Sequence, residues 1–301
     1  MRPRRSRKGG NLSLNTILEQ INDWLKEMLV EAVMDNLTGM FDLVNMRVGS
    51  IASEVGTSPA DFSPGVFSLI RNVSETVIMP IAGIILTFIC TWELIQLLIE
   101  HNNLANFDTW LIFKWIFKTF VAVMLITNCF DITMAVFDVA QRVINSSGGV
   151  IAGNTAVSDT MLETLESTVS AMNLGPLLGL YMQSFIIRIT MFALSTTIFV
   201  IVYGRMVEIY LMTSLAPIPF ATFGNREQSQ IGQNYLRSLI ALGFQGFLIL
   251  ICVGIYAVLI QSVSISSDVV TSLWIIVGYT VLLVFTLFKT GSLAKSVLNA
   301  R

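Results

Sequence analysis

Charge is what this sequence has least of. Asp, Glu, Lys and Arg supply 13% of the 301 residues, hydrophobic residues supply 54%, and the mean hydropathy is +0.72. Too few polar groups remain to cover a soluble globule of this size, so the chain reads as a polytopic integral membrane protein. Proline is scarce too, at 7, and the apolar runs are long and continuous. That argues against a β-barrel, whose short strands alternate with a polar lumen face. The fold class is therefore all-α, a helical membrane protein with about six spans. Cys90, Cys129 and Cys252 are odd in number and embedded in apolar runs, as small buried hydrophobes are, and not as a disulfide framework would be. The single histidine, His101, lies beside Asn102 and Asn103 and has no companions for metal binding. Phosphate-binding glycine loops, paired-histidine metal motifs and nucleophile elbows are missing, so nothing supports ATP hydrolysis or membrane proteolysis. We expect no enzyme activity, no cofactor and no metal.

The start of the chain is basic, with Arg2, Arg4, Arg5, Arg7 and Lys8, but no apolar core of a signal peptide follows. The basic tail is expected to be retained and to face anionic lipid, with nucleic-acid contact as the alternative. From Leu14 to Val44, Ile17, Ile21, Trp24 and Met28 recur at helical spacing opposite Glu19, Asp23, Glu27 and Glu31. The pattern is an amphipathic helix too charged to span, lying in the interface or beneath the bundle. A loop is expected over Gly49 to Gly65.

The expected organisation is residues 1-66 for tail, amphipathic helix and loop, 67-140 for a two-span hairpin, and 141-176 for a central extramembrane loop. Residues 177-289 form a four-span core and 290-301 a tail. The first span is Val77 to about Ile99, with Pro80 in its first turn, where proline is tolerated. The second apolar stretch, Phe107 to about Val139, admits two registers. Thr109 to Thr127 buries Lys114 and Lys118, whereas Thr119 to Phe137 lets them snorkel but places Asn128 and Asp131 inside; the latter is preferred. Asp131 is then either an intramembrane carboxylate or a helix-end residue. Arg188, in the third span from Leu177 to Tyr203, is close enough to the membrane edge to snorkel. The fifth span, from about Leu236 to Gln261, carries Ser238, Ala241, Gly243 and Gly246, which should form a close helix interface around Gln245. The sixth is Val269 to Phe288. With six spans, at least eleven Lys and Arg fall on the side of both termini and few on the other, Arg205 among them, so both termini are expected in the cytoplasm.

Between the third span and the fifth lies the most informative stretch, Tyr203 to Gly224. It begins with Arg205 and Glu208, three apart and on one face, and ends with Pro217 and Pro219. A helix here should break at about Leu215 to Pro219, and the freed backbone groups cannot face lipid. Arg205 and Glu208 are read either as an interfacial ion pair or as leaving Glu208 to bridge another span or subunit. The residues RMVEIYLMTSLAPIPFATF, followed by NYLRSLIALGFQGFLIL, resemble the TrbL-like (VirB-six-like) polytopic membrane subunits of conjugative type IV secretion systems, in particular the short Gram-positive forms. The matching positions are Arg205, Glu208, Pro217, Pro219, Tyr235, Arg237 and Gln245, and the likeness extends over Leu177 to Phe288. The resemblance implies a channel or platform subunit of the bacterial cytoplasmic membrane, in a homo-oligomer with other secretion subunits and separate ATPases. Such a subunit helps to pass relaxase-bound single-stranded DNA or protein. Arg205, Glu208, Pro217, Pro219, Gln245 and Asp131 are the candidate conduit or inter-subunit positions. The alternative is a secondary transporter that binds a solute or ion at the broken helix.

Overall fold

The structure is a computed structural model and describes residues 14–100, 109–151, 159–225, 228–263 and 269–300. The basic tail Arg2 to Lys8, His101 with its loop, residues 152–158, Arg226, residues 264–268 and Arg301 lie outside the described residues.

All regular structure among the described residues is helical, as a chain of long apolar runs dictates. The elements are α1 (Leu14–Val55), α2 (Pro59–Phe62), α3 (Pro64–Val73), a π-helical turn (Ser74–Ile78), α4 (Met79–Glu100), α5 (Thr109–Thr127) and α6 (Cys129–Ile151). They continue with α7 (Asp159–Ser170), α8 (Leu174–Ser214), α9 (Pro217–Ala221), a 3-10 turn (Thr222–Gly224), α10 (Ser229–Gln261) and α11 (Val269–Val297). Among the described residues, five stretches are long and apolar enough to cross a membrane: Pro64–Ile99, Thr109–Thr127, Leu174–Ser214, Ser229–Gln261 and Val269–Val297. The chain is a polytopic helical membrane protein.

The five differ from the expected six in particular places. The expected third span and the start of the fourth are one continuous helix, α8, whose 41 residues are about twice what a bilayer requires. No breaker stands between Leu177 and Ser214, so nothing divides it. In the second apolar stretch the preferred register, Thr119 to Phe137, is not the one formed; α5 occupies Thr109–Thr127. The physical reason is that both lysines have partners the sequence did not reveal. Lys118 pairs with Glu93 of α4, and the Lys114 ammonium lies 5.8 Å from the centre of the Trp110 ring. Asn128 then interrupts the helix, its side-chain amide donating to the Met124 carbonyl at 2.8 Å. The expected loop over Gly49 to Gly65 is mostly helix, with Ser58 capping α2 through Asp61. The small-residue loop expected from Asn145 begins later, since α6 continues to Ile151. Pro80 is in the first turn of α4, as expected, although the helical stretch that contains it already begins at Pro64. The π-helical turn precedes it, and a proline that removes a backbone donor is tolerated there at a local widening of the helix.

The described residues form two compact units. Unit 1 takes its residues from Met1–Met46, Ala156–Ser195 and Leu259–Thr280. In it, the apolar stripe Leu29, Val33, Leu37, Met40 and Phe41 of α1 is buried, while Ile17, Ile21, Trp24 and Met28, which precede it, are exposed. Asn36 donates to the Ser184 hydroxyl at 3.2 Å, and Arg188 reaches Asp35 at 2.8 Å and the Asn36 amide oxygen at 3.0 Å. Arg188 is therefore held by α1, and snorkelling is not required.

Unit 2 comprises Arg47–Thr155, Thr196–Val258 and Val281–Arg301. Its core is formed by Ala82, Leu86 and Cys90 of α4, Ala122 and Ile126 of α5, Met206, Ile209 and Tyr210 of α8, Ala216, Phe220 and Ala221 of the proline segment, and Tyr235, Leu239 and Leu242 of α10. The short helix α9 packs against both α4 and α5. The proline segment is thus the plug of this core.

Candidate functional site

All six candidate positions lie in unit 2. The proline segment is built as follows. Pro217 and Pro219 have no backbone N–H, so the ladder of i to i−4 bonds cannot continue through them. Tighter bonds replace it: Ala216 donates to the Thr213 carbonyl and Ile218 to the Leu215 carbonyl, each at 3.2 Å. The Met212 carbonyl accepts instead from the Tyr235 hydroxyl of α10, at 2.8 Å. Freed groups in a membrane helix need a protein partner or water, and here the partners are local turns and a tyrosine. The Pro219 carbonyl accepts from the Thr222 hydroxyl at 2.7 Å, and that hydroxyl in turn accepts from the Gly232 N–H at 3.1 Å. Gly232 is in the first turn of α10, whose N–H groups have no partners within the helix. One threonine therefore joins the end of the broken segment to the start of the next span.

Arg205 and Glu208 share a face of α8 but do not pair with each other. Glu208 pairs with Lys295 of α11 at 3.0 Å, both side chains being partly exposed. This fits the reading in which Glu208 bridges another span and replaces the reading of an Arg205 to Glu208 ion pair. Arg205 is 6% exposed, and its Nε donates to the Leu242 carbonyl of α10 at 3.1 Å. Among the described residues it has no carboxylate partner. The guanidinium is admitted by glycine: a Cβ on Gly246 would stand 2.6 Å from Arg205 Nη2 and 2.7 Å from Ile144 Cδ1. A Cβ on Gly243 would stand 2.8 Å from that of Ala140. The small residues of α10 are therefore the close interface that their spacing suggested, with α6 and Arg205 as the occupants.

Gln245 is buried beside α11, with its amide 3.2 Å from where a Cβ on Gly291 would be. Among the described residues its Oε1, which is buried, has no hydrogen-bond partner, and neither has the buried hydroxyl of Ser74 in the π-helical turn. Asp131 is apart from these groups. It is in the first turn of α6, where a carboxylate complements the helix dipole, its side chain 70% exposed and 3.8 Å from Arg71. Of its two readings, the helix-end one matches this place. Arg71 is held more closely by Glu75, at 2.8 Å.

The structure therefore joins Arg205, Gln245, the prolines and Tyr235 around α10, and sets Glu208 and Asp131 at half-exposed and exposed positions. Reading the sequence did not identify Thr222, Gly232 or Lys295. A glycine and a threonine flanking a polar connection were the available signals for the first two. The third required knowing that α11 returns to α8.

The family model for TrbL/VirB6 plasmid conjugal transfer like protein matches residues 44–217, more than half of the chain. The chain belongs to this family. The TrbL/VirB6 match covers the end of α1 and all of α2 to α8 and ends at Pro217, so Arg205 and Glu208 are inside it and Pro219, Tyr235, Arg237 and Gln245 lie beyond it. The match overlaps the likeness seen over Leu177 to Phe288 at residues 177–217 and extends upstream of it to residue 44. No curated protein and no solved structure matches the chain. Membership connects the protein to conjugal transfer by type IV secretion.

Proposed function

We propose that the protein is a non-enzymatic channel or platform subunit of the cytoplasmic-membrane transfer apparatus, acting as a homo-oligomer with other secretion subunits and separate ATPases. Its substrate is single-stranded DNA carrying a relaxase, or protein. The observation that carries the reading is the burial of two polar side chains, Arg205 and Gln245, in the helical core, where a bundle that only anchors would be apolar. Ser214, at the break, and Asp131, at the start of α6, are the other positions to probe.

The test is crosslinking to transferred DNA during mating, from cysteines introduced at Ser214, Gln245 and Asp131. A crosslink from at least one is expected. None from all three, with transfer intact, would leave a structural role only.

A secondary transporter is the second reading, and one observation favours it. The π-helical turn before Pro80 is a second interruption, and it contacts α9. The family weighs against it, and a DNA crosslink would remove it.

The carboxyl-terminal end is cytoplasmic in this reading, because Lys289, Lys295 and Arg301 follow the last apolar run. Two cytoplasmic termini need an even number of crossings, and five single crossings would separate them. A cysteine at Val297, which is exposed, should resist an impermeant thiol reagent in intact cells and react after permeabilisation. Reaction in intact cells would place this end outside.

A further inference from the structure

Two lysines close α11, and their surroundings differ. Lys295 is paired with Glu208, whereas Lys289 has no ion-pair partner among the described residues. Lys289 follows Val269 to Phe288, a run of about 20 residues without charge that suffices for the hydrocarbon core. Its ammonium therefore stands where the apolar run ends. Thr286, Lys289, Leu293 and Ser296 recur at spacings of three and four, on one face of the helix. That face meets Leu248 and Ile251 of α10 across a groove of about 630 Å³. The volume is within the range of small-molecule sites. One part of the groove offers a cation and hydroxyls, and the rest is aliphatic.

We propose that this groove binds an anionic phospholipid, its phosphate at Lys289 and an acyl chain along Leu248 and Ile251. Free phosphate would match the cation but leave the aliphatic wall uncovered. A zwitterionic lipid covers the wall, but its own ammonium competes with Lys289 for the phosphate. An anion joined to a hydrocarbon chain satisfies both halves. The inference is independent of what the subunit transfers.

The test is native mass spectrometry on the purified full chain, titrated with phosphatidylglycerol, with phosphatidylcholine of the same chains, and with inorganic phosphate. Phosphatidylglycerol is expected to bind about fivefold more tightly than phosphatidylcholine, the preference of one lysine for an anionic headgroup. Lys289→Gln should abolish the preference and Lys289→Arg should keep it. Ile251→Trp, which fills the groove, should weaken both lipids, with helical circular dichroism confirming the fold of each variant. Equal binding of the two lipids to the unmodified chain, or a preference that survives Lys289→Gln, would overturn the proposal. Displacement of phosphatidylglycerol by inorganic phosphate alone would overturn it as well, by showing a simple anion site.

Discussion

Arg205→Met is expected to leave the fold at least as stable as before and to lower conjugal transfer by at least about tenfold, a loss equivalent to about 1.4 kcal/mol or more. The two halves of this expectation have separate causes. Burying a guanidinium that has one hydrogen bond and no carboxylate costs several kcal/mol in desolvation, and a hydrophobic side chain of similar length removes that cost. The Leu242 carbonyl is not orphaned by the change, because it lies inside α10 and keeps its helical partner. A charge that weakens the fold and yet occupies the helical core is retained for something other than stability. Glu208→Gln is expected to do less. It releases Lys295 from a half-exposed pair, and such pairs contribute little to stability. Thermal unfolding in detergent and mating frequency, measured on the same variants, separate the two effects. Arg205→Met with normal transfer would reduce Arg205 to a packing element, and a Glu208→Gln loss equal to or greater than that of Arg205→Met would move the functional weight to α11.

Gly232→Ala is expected to be the most damaging glycine-to-alanine change among the described residues. Its Cβ would stand 2.8 Å from the Pro219 carbonyl oxygen and 2.9 Å from a ring carbon of Phe223. The first of these is backbone, held by the Thr222 hydroxyl, so it cannot swing aside as a long side chain can. Overpacking of this kind costs about 1–3 kcal/mol. Relief requires α10 to move away from the proline segment, which breaks the Gly232 to Thr222 bond and loosens the plug that α9 makes against α4 and α5. Lower unfolding temperature and faster proteolysis near 225–232 are the readouts. Gly278→Ala is the control, since nothing lies within 4 Å of its added methyl. Equal stability of the two variants would mean that the junction is not tightly packed.

Much of this was legible along the chain because the signals are local. Long apolar runs without charge give the helices, amphipathic spacing gives α1, and Pro217-Ile218-Pro219 gives the break, since a missing N–H acts within one turn. The small residues of α10 announced a close approach for the same reason: a glycine leaves a gap wherever it stands. The register of α5 was not legible, because it depends on Glu93 in another helix and on the ring of Trp110 accepting lysines that bare hydropathy would push out of the membrane. The unbroken length of α8 was hidden by the habit of cutting apolar runs into bilayer lengths, although no residue in it stops a helix.

What the sequence determined by itself is a helical membrane protein with one proline break, because helix formation and burial in lipid follow from side chains within a few turns of each other. What only the tertiary structure decided is who partners whom. Arg205 turned from Glu208 to a carbonyl of α10, Glu208 turned to Lys295, and around the proline break the Met212 and Pro219 carbonyls took the hydroxyls of Tyr235 and Thr222. Those choices belong to helices brought together from far apart in the chain, and in a low-dielectric core an ion or a carbonyl takes whichever partner the packing places within about 3 Å.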